Sequence, residues 1–217
     1  MFKLLSYPLS EKTPLYGETK SVIVEAEKQI SKGDSCNTFY LKFSNHSGTH
    51  IDSPNHFYEN GRSLSQYSIE EFIFTKPFLL DIEIGEGQLI TSKFLKNIPT
   101  CDLLLIRSGF YKYRNLEKYK FNNPGISVEA AKTIRENYPD IRAIGVDFIS
   151  ISSYSHREEG RQSHRILLDP CYHKNSPILL IEDMNLSDDL AGLKKVFAVP
   201  IFFEGVDSMP CTVIGEL

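Results

Sequence analysis

HSGTHIDSPNHF, residues 46–57, holds three of the chain's six histidines beside one carboxylate, a glycine and a proline. Imidazole nitrogens and a carboxylate oxygen are the ligand set that zinc and similar divalent ions take. Only some backbone shapes bring these side chains together. On a helix His46 and His50 share a face, but Asp52 falls about 200° around from His50. On a straight strand positions 46, 50, 52 and 56 all point to one side, yet His46 and Asp52 would lie roughly 20 Å apart at about 3.3 Å per residue. The spacing therefore predicts a bent, largely extended segment. Gly48 supplies the bend, because it lacks the Cβ that penalises unusual dihedrals. His50 and Asp52, two apart on one side, then converge without distortion, and Pro54 ends the extended run and turns His56 back over the site. A lone histidine reads as a surface or core imidazole; H-x3-H-x-D with a further histidine four residues on favours a metal-binding loop.

Outward from the loop, VIVEAEKQI and NTFYLKFSN read as two strands around the turn signal SKGDS, a hairpin leading into the histidines. SIEEFI reads as a short helix capped by Ser68, TSKFLKNI as a helix, and SVEAAKTIRENYP as a helix with Ser127 as N-cap and a proline beyond its end. PFLLDIEI, CDLLLIRSG, IRAIGVDF and PILLIED are apolar runs of strand length, and KVFAVPIFF and CTVIGEL are β-rich. Strands alternating with helices after a hairpin predict an α/β class, one domain over residues 1–217, with a mixed sheet covered by helices.

The bulk composition excludes several classes. A net charge of −4 with no basic stripe argues against a nucleic-acid partner. The longest apolar runs are strand-sized, which argues against a membrane span, and the first residues lack the apolar stretch of a signal peptide. Cys36, Cys101, Cys171 and Cys211 are far apart without a CxxC pair, so they read as reduced thiols of a cytoplasmic protein.

The twelve-residue segment resembles the HxGTHxDxPxHF signature of the cyclase family of metal-dependent hydrolases, which includes kynurenine formamidases and isatin hydrolases. LLSYPLSEKTPLY, GVDFISIS, SHRILL with PILLIEDMNL, and VFAVPIFFEGVDSMPCTVI resemble further family elements, so the likeness runs over nearly the full chain. It implies a compact mixed-sheet domain of the swivelling β/β/α, cyclase-like kind, usually dimeric or tetrameric, with two divalent ions per subunit. His46, His50 and Asp52 match the first metal's ligands, His164 and Glu182 the distal ones, His56 the catalytic acid/base and Tyr16 an aromatic facing substrate. The chain departs from the usual pattern at TPLYGETK, after GVDFISIS, and at DPCYHKNS between His164 and Glu182, changes that bear on substrate more than on metal.

Among distal candidates, His156 sits in the polar SHREEGR and His173 in the loop CYHKNSP, whereas His164 opens the amphipathic HRILL, whose anchored backbone suits a ligand. Glu182 ends a strand-like run with Asp183 as its local rival, and Asp147 suits either orienting a ligand histidine or a structural hydrogen bond. Zinc is the first expectation for the metal and manganese the second. The expected reaction is hydrolysis of an amide or formamide of a small molecule, N-formylkynurenine first. Metal-activated water attacks the carbonyl while His56 delivers a proton to the departing nitrogen. An isatin-type cyclic amide, a lactone, a cyclase or dehydratase reaction, and a non-enzymatic metal-binding role are the alternatives.

Overall fold

The computed structural model describes residues 1–17, 20–172 and 176–217. Its strands are β1 (Phe2–Leu4), β2 (Ile23–Lys28), β3 (Thr38–Lys42), β4 (His50–Asp52), β5 (Ile73–Phe74), β6 (Pro77–Asp81), β7 (Leu89–Ile90), β8 (Leu103–Arg107), β9 (Gly125–Ile126), β10 (Ala143–Val146), β11 (Leu179–Glu182), β12 (Lys195–Pro200) and β13 (Ser208–Glu216). The α-helices are α1 (Glu117–Phe121), α2 (Val128–Asn137) and α3 (Arg157–Leu168). The class is mixed α/β, as expected.

The main sheet runs β5-β12-β13-β4-β11-β10-β8-β6, with β1 added on β13. Strands β6, β8, β10 and β11 are mutually parallel, while β4, β13, β12 and β5 pair antiparallel. β4 is where the two halves meet, antiparallel to β11 on one side and to β13 on the other.

Both faces of the parallel half are covered, which explains why CDLLLIRSG is continuously apolar rather than alternating. Leu104, Ile106, Ile144, Val146 and Leu180 point into one core, shared with Ala130 and Ile134 of α2 and Leu167 of α3. Leu103, Leu105, Ala143, Leu179 and Ile181 point into the other, with Ile51, Val196 and Val213. α2 starts at Ser127, whose hydroxyl accepts from the Ala130 amide as the sequence predicts. SIEEFI forms a 3-10 turn, Ile69–Phe72, closed by a reciprocal Ser68–Glu71 capping box.

One expectation is corrected. TSKFLKNI is not a helix beyond the single 3-10 turn Ser92–Phe94; Asn97 takes a left-handed φ of 58°, which ends any helical path before Pro99. The polar SHREEGR stretch is mostly exposed, as expected, and runs into α3, which begins at Arg157 and holds His164 well inside it. The β2–β3 hairpin forms but stands as a two-stranded sheet of its own, largely solvent-exposed. Among the described residues no helix is long and apolar enough to cross a membrane.

Candidate metal centre

Partners directly opposite in a sheet share a face, and this rule builds the centre. Glu182 of β11 is opposite His50, and Leu180 opposite Asp52. His50, Asp52 and Glu182 therefore emerge on the α2–α3 side of the sheet, with Ile51 buried on the other. Gly48 bends the chain into β4 with φ at +66°, where a side chain would be strained. The bend aims the Gly48 carbonyl at His50, whose Nδ1 lies 2.8 Å from it. A carbonyl only accepts, so Nδ1 carries the hydrogen and Nε2 is the bare nitrogen. That Nε2 lies 3.4 Å from Glu182 Oε2 and 3.5 Å from Asp52 Oδ1.

Before the bend, His46 puts Nδ1 3.1 Å from Asp52 Oδ1. After β4, Pro54 opens the 3-10 turn Pro54–His56, which returns His56 over the cluster until its ring centroid lies 4.3 Å from that of His46. The bent loop read from the sequence is thus the loop observed.

The distal residues arrive from α3 and β11. Gly160, Ser163, His164, Leu167 and Leu168 form the buried stripe of α3. The helix can sit this close only because residue 160 is glycine: a methyl there would lie 2.6 Å from Ser152 Cα. His164 Nδ1 donates to the Gly160 carbonyl at 2.9 Å, leaving Nε2 to face Glu182 Oε1 at 3.4 Å. Glu182 is fixed by the Ser150 hydroxyl and the Ile151 amide, which donate to Oε1 at 3.0 and 2.8 Å.

The donor set fits a divalent cation. His50 Nε2 and both oxygens of Asp52 are buried without a hydrogen-bond partner, a state that costs roughly 1–3 kcal/mol per polar group and more for charged ones. Among the described residues two trios bring donor atoms within 4.8 Å of one another: His50, Asp52 and Glu182, and His46, Asp52 and His56. Asp52 belongs to both. Burial pushes the Asp52 carboxyl up, but His46 and His50 outweigh it and hold it well below the usual carboxylate range. Burial likewise raises Glu182, and His164 and His50 bring it down to about 2. Burial lowers the His46 imidazole, while Asp52 and Asp207 raise it to about 10.

Asp207 is the residue that sequence reasoning missed. One of its oxygens lies 2.9 Å from His46 Nε2 and 2.7 Å from His56 Nδ1. Nothing in the run GVDSM marks it, because its relation to the loop exists only through the pairing of β13 with β4, Ser208 opposite Asp52.

The other candidates fall elsewhere. Asp147 accepts from the Ser108 and Gly109 amides and the Ser108 hydroxyl, a structural role. Asp183, the rival of Glu182, takes a left-handed φ of 51° and is held by the forked Arg114 guanidinium and the Tyr119 hydroxyl. His156 is exposed ahead of α3, and His173 lies outside the described residues. Tyr16 is half-buried, edge-on to Tyr154 with ring centroids 5.7 Å apart. Burial raises its hydroxyl, Arg157 lowers it, and the charge of Glu182 raises it further.

A protein-family model described as putative cyclase matches residues 4–153. Cyclase-like protein 1 of Arabidopsis thaliana is 26% identical over 188 residues, covering 83% of this chain and 70% of that one. The kynurenine formamidase of Bacillus cereus is 24% identical over 208 residues, covering 95% and 92%. Isatin hydrolase A from Labrenzia aggregata, solved bound to benzyl benzoate, superposes with a TM-score of 0.82 at 19% identity, covering 99% and 93%. At that identity the structural likeness establishes the fold.

Proposed function

This chain belongs to the cyclase family, and on that premise we propose that it is a metal-dependent hydrolase of a small-molecule carbon–nitrogen bond, an amide or formamide. The observation that carries the reading is the buried set of Asp52 Oδ1, Asp52 Oδ2 and His50 Nε2, none of which makes a hydrogen bond although Asp52 Oδ1 lies 3.1 Å from His46 Nδ1, since such atoms are tolerated where a cation satisfies them. His46, His50 and Asp52 hold the first ion, zinc before manganese; His164 and Glu182 hold a second, Glu182 facing both His50 and His164. A divalent ion held there lowers the pKa of bound water from 15.7 to about 7 and polarises a carbonyl oxygen.

The chain's own residues supply the remainder. Water adds to the carbonyl carbon, the C–N bond breaks, and the nitrogen leaves with a proton, so a formamide gives formate and a free amine. His56, aimed over the cluster by the Pro54 turn, takes the proton from the attacking water and returns it to the nitrogen, which is a poor leaving group until protonated. Tyr16 lines the approach. The leading substrate is N-formylkynurenine, after the Bacillus cereus relative; an isatin-type cyclic amide is the second reading, after the isatin hydrolase fold likeness.

We read residues 1–217 as one domain, assembled as a homodimer or homotetramer. Phe39, Tyr40 and Leu41 on the hairpin and Ile201, Phe202 and Phe203 beyond β12 are exposed, an apolar surface that a second copy would cover. The four free cysteines fit the reducing cytoplasm. A panel of formamides, cyclic amides and lactones, assayed with added zinc or manganese, tests the function. Acid release from a formamide supports it; turnover of none would leave a metal-binding protein without hydrolase activity.

A further inference from the structure

Asp207 stands immediately before β13, clamped to the far end of β4: its carbonyl accepts from the Ser53 amide at 2.9 Å and the Ser53 hydroxyl at 2.8 Å. Its carboxylate reaches back to three residues of the 45–56 segment. Asn45 Nδ2 donates to Oδ1 at 2.7 Å, while Oδ2 faces both His46 Nε2 and His56 Nδ1. An ionised carboxylate only accepts. Both imidazole nitrogens that face Oδ2 must therefore carry hydrogen; in neutral His56 the bare nitrogen is then Nε2, and in His46 the second nitrogen, Nδ1, faces the Asp52 carboxylate and meets it bare once a cation lies between them.

We infer that Asp207 is a positioning residue that fixes the tautomers of two histidines at once, holding His56 as Nδ1–H so that Nε2 handles the proton, and His46 as Nε2–H so that Nδ1 faces the metal. The two rings are held in one packed arrangement, centroids 4.3 Å apart. The consequence for His46 is that its Nδ1, 3.1 Å from Asp52 Oδ1, is its donor to the ion, whereas His50 and His164 use Nε2. The consequence for His56 is a defined acid/base atom whose orientation comes from a carboxylate on another strand, the logic by which an orienting carboxylate serves a catalytic imidazole.

This rests on reading His46 as a ligand and His56 as the acid/base, so the test needs a readout that does not depend on turnover. In the zinc-loaded, 15N-histidine-labelled protein, nitrogen chemical shifts assign each tautomer. The expected spectrum shows His56 protonated at Nδ1 and His46 at Nε2. His56 protonated at Nε2 instead overturns the inference, whether or not any substrate is hydrolysed. In Asp207→Asn the amide presents a donor as well as an acceptor, so the His56 signal is expected to split or shift to the other tautomer. Zinc at the His46, His50 and Asp52 site is expected to remain, KM to change less than threefold, and kcat to fall by about 10²–10⁴-fold. In a His56→Ala background the same change is expected to lower kcat by less than threefold further, because Asp207 acts through His56. Equal losses in both backgrounds, or an Asp207→Asn protein with wild-type tautomers and kcat, overturn it. Should Asp207→Asn fail to fold, the wild-type spectrum decides alone. Wild-type protein that hydrolyses no amide removes the functional reading and leaves the tautomer result standing.

Discussion

His50 and Glu182 are register partners on adjacent antiparallel strands, Nε2 and Oε2 3.4 Å apart, although they belong to distant parts of the chain. The pairing of β4 with β11 is what converts a histidine loop into a centre. The loop supplies nitrogen donors and one carboxylate; the parallel half of the sheet supplies, at its carboxyl end, the second carboxylate that balances the charge of a divalent ion.

Asp52 is common to both donor trios, so its loss should be the most damaging to metal binding. At zinc near a hundredfold above Kd the wild-type protein is expected to gain about 2.7 kcal/mol of stability. In Asp52→Asn that gain should vanish while the metal-free stability changes little by comparison. Chemical unfolding with and without zinc measures both.

His56→Ala separates a proton-handling role from a ligand role. His56 lies within donor distance of His46 and Asp52, so the distinction is a real one. With zinc content unchanged and kcat lower by about 10²–10⁴-fold, His56 moves protons; a parallel loss of zinc makes it a ligand.

Gly160→Ala should displace α3, because the added methyl meets the Ser152 Cα as well as its side chain, and the backbone cannot swing away. A cost of about 1–3 kcal/mol is expected from overpacking. Since His164 rides on the same turn and bonds the Gly160 carbonyl, metal binding through His164 should weaken in step. Metal stoichiometry alongside urea unfolding checks the pair.

Metal and protons should compete for His46. Burial favours its neutral form, but Asp52 and Asp207 outweigh burial and raise it to about 10 in the metal-free chain. A raised histidine pKa stabilises the metal-free fold below the unfolded value, about 6.5, and that stabilisation is lost as pH climbs through 10. An ion must displace this proton, so zinc affinity should increase between pH 6 and 8 with proton release. Calorimetry in two buffers of different ionisation enthalpy measures the release; equal heats would contradict it.

Much of this was legible in the chain itself. Parity of positions 46, 50, 52 and 56, with Gly48 and Pro54 where the backbone had to turn, was enough to describe the loop, and the Ser127 cap was enough to start α2. What was illegible depended on pairing. Glu182 and Asp183 are indistinguishable as letters; strand parity turns Glu182 toward the histidines, while the left-handed turn at Asp183 hands that carboxylate to Arg114. Asp207 joins the site only because β13 lies beside β4. The 91–98 segment failed as a helix because its one 3-10 turn gives way to a left-handed residue at Asn97, a conformation its helical pattern does not announce.

The most direct measurement is anomalous diffraction from crystals of the zinc-loaded protein, collected on both sides of the zinc edge. An anomalous peak within bonding distance of His46 Nδ1, His50 Nε2 and an Asp52 oxygen is the predicted result. Zinc-loaded crystals with those three side chains ordered and no peak between them would contradict the account.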